Sequence, residues 1–163
     1  MAHRGTLALA LALATTAAAA GHAEPPSDAA SAAHAERHFI LACSGCHLAD
    51  GSGSPAKGIP SMRGALGRFL QVPGGREFIV QVPGVMNSPL KDREIAELMN
   101  WLVPHVSADT APLAMAPYTE DEIARLRRTR PVDVPAARKA VVARAHAAGI
   151  EIDPDSAKSA AAR

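Results

Sequence analysis

The pentapeptide Cys43-Ser44-Gly45-Cys46-His47 is the feature that most limits what this chain can fold into. Two thiols separated by two residues can each add to one vinyl group of a haem, and the following His then reaches the iron from the same turn. A structural disulfide would leave His47 without a role. A thioredoxin-like redox pair needs a strand and a parallel sheet, and no such pattern is apparent. A zinc site needs a second pair of ligands, and the chain has only 2 Cys. The motif therefore predicts covalent attachment of one haem.

Residues 1–23 have the pattern of a secretory signal peptide. His3 and Arg4 precede an apolar run over 7–20, and the small residues Gly21 and Ala23 follow it. The run is shorter than the ~20 residues that a membrane-spanning helix needs. We therefore predict cleavage after Ala23 and a periplasmic protein. The alternative is that residues 1–23 stay on the protein as an anchor, and membrane association is expected only in that case.

Three further segments follow the signal. Residues 24–33 are rich in Ala, Pro and Ser and predict a flexible leader, 34–106 form the main domain, and 107–163 form a linker and a partly helical C-terminal extension. Almost no strand pattern is present, so the predicted class is all-α. Helices are predicted over 33–42, 63–72, 76–82, 91–103, 119–130 and 135–148. Pro104 is expected to end the fourth of them.

Charge and aromatic content argue against nucleic-acid binding and in favour of a large cofactor. The chain has 17 basic and 16 acidic residues, and Arg4 is the one Lys, Arg, Asp or Glu within 1–23, so the mature chain is formally neutral. Such a balance argues against nucleic acid as a partner. Aromatic residues make up only 3% of the chain, and a large buried apolar cofactor would supply the packing surface that the side chains lack.

From about Ala35 to Val106 the chain resembles the small monohaem class I c-type cytochromes of the bacterial periplasm, here with a C-terminal extension. Phe39 lies four residues before Cys43, and the small Ala35 lies eight before it. The resemblance implies about four short helices wrapped around one covalently bound haem. It also implies that Ala35 and Phe39 pack against Trp101 where the first and last helices of the domain cross.

The same resemblance implies roles around the iron. His47 is the proximal ligand, the Pro60 carbonyl accepts its N–H, and Met62 packs on the haem. The expected distal ligand is Met86, in the loop over 84–89 before the last helix of the domain. Here Asn87 follows that Met, where the family often has Pro. His105 is a minor candidate for the same position.

The implied function is one-electron transfer without catalysis. A periplasmic dehydrogenase would be the donor, and an oxidase or another cytochrome the acceptor. Two alternatives stay open: a haem enzyme or gas sensor with an open sixth position, and a subunit in which haem only stabilises the fold. The extension carries a basic stretch that is either a solvated helix face or a surface for an acidic partner: Arg125, Arg127, Arg128, Arg130, Arg138, Lys139 and Arg144.

Overall fold

The computed structural model describes Met1 and residues 28–152, so the predicted signal peptide lies outside the described part apart from its first residue. The described residues form helices and no β-strand, which confirms the all-α prediction. The helices are α1 (Asp28–Ala42), α2 (Ser44–His47), α3 (Ala65–Leu70), α4 (Gly75–Val80), α5 (Pro83–Met86), α6 (Asp92–Ser107), α7 (Glu120–Arg128) and α8 (Val134–Ala147), with a 3-10 turn at Pro55–Lys57. Within this range, none of the helices has the length and apolar character needed to cross a bilayer.

The pairing of α1 with α6 organises the core. Ala35 and Phe39 lie one turn apart and are the two buried residues of α1. On α6 the apolar residues recur at spacings of three and four, as an amphipathic helix requires. Its buried apolar residues are Ile95, Ala96, Leu98, Met99, Leu102 and Val103.

Two predicted boundaries were wrong. The chain is already helical from Asp28, so residues 28–33 of the predicted flexible leader belong to α1. An Ala-rich sequence with an acidic residue in its first turn favours this helix. The fourth predicted helix does not end before Pro104, because α6 continues to Ser107. A contact with another segment stabilises its last turn, since the Val106 carbonyl accepts a hydrogen bond from Gly64 N at 3.0 Å.

The C-terminal extension is part of the same hydrophobic core. Its two helices, the segment before them and the segment after them contribute side chains that are at most 3% exposed: Tyr118, Ile123, Leu126, Val141, Ala145 and Ile152. α7 packs on α6 and α4, and α8 packs on α3 and α4. Residues 107–152 therefore form a further layer of the domain rather than an appended tail.

Gly67 allows the segment after α6 to approach α3. A Cβ at this position would collide with the Thr110 side chain and with Ala111 N. The Thr110 hydroxyl donates to the Gly64 carbonyl at 2.7 Å, and Gln71 Nε2 donates to the Thr110 carbonyl at 2.7 Å. A residue without a side chain is thus needed where the extension begins to fold back.

Arg76 joins α4 to α7 through a partly buried ion pair. Its Nε and Nη2 each lie 2.7 Å from a carboxylate oxygen of Glu122. The guanidinium carbon stands 3.8 Å from the centre of the Tyr118 ring, and the Tyr118 hydroxyl donates to the Arg76 carbonyl at 3.1 Å. Bidentate pairing and stacking on an aromatic ring are the two geometries that favour Arg over Lys.

This ion pair predicts a pH dependence of stability. The hydrogen bonds from Arg76 hold the pKa of Glu122 below its ordinary value of 4.5. The unfolded chain therefore takes up this proton first, so the stabilisation is complete above pH 4.5 and is lost as the pH falls through the lower folded pKa. We expect Glu122→Gln to lower the free energy of unfolding by about 1–3 kcal/mol at neutral pH and to change it little below the folded pKa.

Urea unfolding at neutral and acidic pH tests this. Glu120→Gln is the matched control, because Glu120 lies in the same first turn of α7 and is exposed. An equal loss of stability for Glu122→Gln at both pH values would contradict the prediction.

Candidate functional site

The motif Cys43–His47 lies on a nearly continuous helical path. α1 ends at Ala42 and α2 begins at Ser44, and Cys43 N still donates to the Phe39 carbonyl at 2.9 Å. The Cys43 carbonyl then accepts from Cys46 N at 3.1 Å and from His47 N at 3.0 Å. These bonds place two sulfurs and one imidazole on a single turn.

The two thiols differ in environment and are not joined in a disulfide. Cys43 is half-buried against the core, and Cys46 is exposed. Burial raises the pKa of the Cys43 thiol, and the charge of a Cys46 thiolate raises it further. Catalytic thiol pairs instead depend on a lowered pKa in their reactive Cys. This environment therefore disfavours the interpretation of the motif as a disulfide-exchange pair.

His47 carries the most unusual polar atom of the site. Its Nδ1 is buried and makes no hydrogen bond in the described part of the chain. Burial lowers the pKa of the imidazole, and the backbone carbonyl of Pro60 opposes this effect by raising it. The ring is therefore neutral at neutral pH, which is the form that binds metals.

The loop after the motif brings Pro60 back to His47. Gly53 N donates to the His47 carbonyl at 3.0 Å, and Ser54 and Ile59 pair across the loop through two bonds of 2.9 and 3.0 Å. Gly53 has a φ of +75°, and a Cβ there would lie 2.5 Å from the Pro60 carbonyl oxygen. Gly53 is thus required both by its backbone conformation and by the close approach of residues 59–60.

Met62 is tied to the end of α6. Its N–H donates to the Gly51 carbonyl at 2.8 Å, and its carbonyl accepts from the Ser107 hydroxyl at 3.0 Å. Its side chain is partly buried against the core, and Ser107 is fully buried. The start of the extension therefore helps to hold the segment that follows Pro60.

Trp101 stands between an apolar and a polar ring. Its ring centre lies 6.0 Å from that of Phe39, at the contact of α1 with α6, and 4.5 Å from that of His105 in a stacked arrangement. Phe39 is buried, Trp101 is half-buried and His105 is exposed. The stack gives His105 a contact that accounts for its position without a metal.

The donor set fits a covalently attached haem. Two thiols and a neutral imidazole occupy one turn, and the imidazole has a buried nitrogen beside the Pro60 carbonyl. Comparison with known proteins points the same way. The chain is similar to two proteins called cytochrome c-552, both from Thermus thermophilus, each 31% identical over 117 aligned residues. The alignments cover 60% of this chain and 88% and 78% of the two relatives.

The chain belongs to the c-type cytochromes. Membership makes this cytochrome a haem-based electron carrier. A search of family models found no match to the chain. A search of solved structures likewise found no match.

Met86 is the last residue of α5, which Pro83 opens at a position where its missing N–H has no cost. The sequence pattern predicts a loop over 84–89, yet the first residues of that range are helical. Met86 is partly exposed, and its carbonyl accepts a hydrogen bond from Arg127 Nη2 at 3.3 Å. The structure thus places Met86 on a short element that the extension contacts.

Sequence reasoning did not foresee the contacts that three residues make with the backbone near Pro60, Met62 and Met86: Gly53, Ser107 and Arg127. The positive φ of Gly53 has a weak signal in a loop rich in Gly. Ser107 and Arg127 carry no signal, because a Ser at a helix end and one Arg among many in the extension look like ordinary surface residues. Their importance comes from partners 35 to 45 residues away in sequence.

Proposed function

We propose that this cytochrome carries single electrons in the periplasm through one haem c. Cys43 and Cys46 would form its thioether bonds, His47 would be the proximal ligand and Met86 the distal one. The observation that best supports the proposal is the position of the buried His47 imidazole beside the Pro60 carbonyl, on the same turn as two free thiols. Bound haem iron supplies the redox chemistry, since it alternates between ferrous and ferric states.

The residues on the proximal side would set the orientation of the ligand. Pro60 offers its carbonyl to the Nδ1–H of His47, which leaves Nε2 for the metal. Gly53 and the pairing of Ser54 with Ile59 hold that carbonyl in place. A fixed imidazole keeps its position in both oxidation states, so little rearrangement accompanies the electron.

On the distal side, a thioether from Met86 would fill the remaining ligand position. Thioether ligation favours the ferrous state and so raises the reduction potential relative to ligation by two His. A filled position leaves no room for a substrate on the metal. An electron carrier is therefore favoured over the alternative of a peroxidase or gas sensor.

The partners would be proteins of the same compartment. A periplasmic dehydrogenase is proposed as the donor, and an oxidase or another cytochrome as the acceptor. Four basic residues of the extension are exposed and offer a surface for an acidic partner: Arg125, Arg128, Arg130 and Lys139. Arg127 and Arg144 of the same stretch instead bind backbone carbonyls of this chain.

Absorption spectroscopy of the oxidised protein tests the distal ligand. A weak band at the near-infrared edge, from sulfur-to-iron charge transfer, is expected in the wild-type protein. We expect Met86→Ala to abolish this band and to lower the reduction potential, because a thioether ligand is lost.

Met62→Ala is the matched control, because Met62 is the other thioether expected near the haem. It should keep the band, whereas carbon monoxide should bind promptly to the reduced Met86→Ala protein alone. Prompt binding of carbon monoxide to the wild-type protein would favour the sensor or enzyme alternative.

A further inference from the structure

We infer that Arg127 of the C-terminal extension is a positioning residue for the distal ligand. It would hold the backbone that carries Met86 and so set how firmly the thioether stays on the iron. The inference rests on the proposed function, because it takes Met86 as the sixth ligand. It gives the extension a role in the electron-transfer site itself.

The guanidinium of Arg127 spans the whole loop between α5 and α6. Its Nη2 donates to the carbonyls of Met86 at 3.3 Å and Ser88 at 3.1 Å. Its Nη1 donates to the Leu90 carbonyl at 2.9 Å and to a carboxylate oxygen of Asp92, also at 2.9 Å. One side chain thus binds the carbonyl of the last residue of α5, two carbonyls of the loop and the first residue of α6.

Elsewhere in the described structure, the loop is restrained by Leu90, which packs on the core, and by Arg130 Nη1, which donates to the Asn87 side-chain oxygen at 3.4 Å. Asn87 N and Ser88 N donate back to the carbonyls of α5, and Leu90 N donates to the Ser88 hydroxyl. None of these bonds uses the carbonyls that Arg127 binds. Backbone carbonyls that are partly removed from water need donors, and here one cation supplies them.

Arg127 is itself held rigidly. Its neighbours on α7, Ile123 and Leu126, are at most 1% exposed. The buried Gln81 donates from Nε2 to the carbonyl of Leu126 at 3.2 Å and of Thr129 at 2.8 Å, which fixes the end of the helix. The Arg127 side chain is 23% exposed and its partner Asp92 32%, so water screens the pair only in part. The loop is therefore hydrogen-bonded to a side chain whose own helix is packed against the core.

Loss of this fastening should free Met86 without unfolding the domain. A bound thioether must leave the iron before an added ligand can replace it, so the affinity of that ligand measures how firmly Met86 is held. We expect Arg127→Gln to raise the affinity of oxidised protein for imidazole about tenfold, which corresponds to about 1.4 kcal/mol. The sulfur-to-iron band should weaken in the same variant.

The experiment is an imidazole titration of full-length, haem-loaded protein, followed at the sulfur-to-iron band. Arg127→Lys should lie between the wild type and Arg127→Gln, since an ammonium cannot span several carbonyls. It also keeps the test available if Arg127→Gln does not fold. Arg144→Gln is the matched control, because Arg144 is another extension residue that binds a loop carbonyl, that of Pro73 at 2.9 Å, away from Met86.

The outcomes separate the two proposals. Tighter imidazole binding in the Arg127 variants but not in Arg144→Gln supports the inference. If the wild type shows the band and Met86→Ala loses it, but the Arg127 variants bind imidazole like the wild type, then Arg127 is merely structural and the inference is overturned. If the wild type lacks the band, or Met86→Ala keeps it, the proposed distal ligand is wrong and the inference falls with it.

Discussion

A chain that ends at Val106 is expected to lose its cooperative fold, although 34–106 is the segment that resembles a complete cytochrome domain. The truncation removes Tyr118, Ile123, Leu126 and Ile152 from the core, where each is at most 3% exposed. Burial of one such side chain contributes about 1.5–3 kcal/mol. Four of them together are comparable with the whole stability of a small domain, about 5–15 kcal/mol.

Urea unfolding followed by circular dichroism checks this expectation. A chain ending at Ile152 is the matched control, because it keeps every contact described above, and it should unfold like the full-length protein. Leu126→Ala tests the same point without truncation and should lower the free energy of unfolding by about 2–5 kcal/mol. A cooperative transition of the chain that ends at Val106, at the control's midpoint, would show that the extension is dispensable.

This result also bears on the proposed docking role of the extension. Deleting 107–163 cannot test docking, because it would remove part of the core and the contacts of Arg127 with Met86 and with the loop between α5 and α6. Substitution of the exposed Arg125, Arg128 and Lys139 tests it instead. Under docking, electron transfer with an acidic partner should become slower and less dependent on salt.

Replacing both Cys43 and Cys46 by Ala is expected to convert a permanently coloured protein into one that gives up its pigment. In the wild type, acidified organic solvent should leave the haem on the protein, because thioether bonds resist acid. In the double variant the cofactor would depend on axial ligands and apolar contacts alone. Extraction, followed by an absorption spectrum of both phases, measures the difference.

Single substitutions refine this test. Cys43 is half-buried and Cys46 is exposed. A variant that lacks either one would still have one thioether bond to the haem, so both single variants should keep their pigment. Ser44→Ala is the control, since it removes the hydroxyl that donates to the Ile40 carbonyl at 2.7 Å and leaves both thiols in place. A colourless wild-type protein would contradict the haem assignment. The two Cys would then have to be interpreted as a structural disulfide.

Local features of the site were readable from the sequence alone. The spacing of Cys43, Cys46 and His47 puts them on one helical turn whatever the rest of the chain does, because neighbours in sequence determine a turn. The apolar spacing over 91–103 predicted most of α6 for the same reason. Membership of the c-type cytochromes and the all-α class followed from these local patterns.

Tertiary structure decided what distant residues do to one another. α6 passes Pro104 because Gly64 and Met62 bind its last turn from another part of the chain. Side chains of the extension are buried in the core, and Arg127 binds the carbonyl of Met86, 41 residues earlier in the sequence. Such contacts depend on how helices pack in three dimensions, and a run of basic residues reads the same whether it faces water or a row of carbonyls.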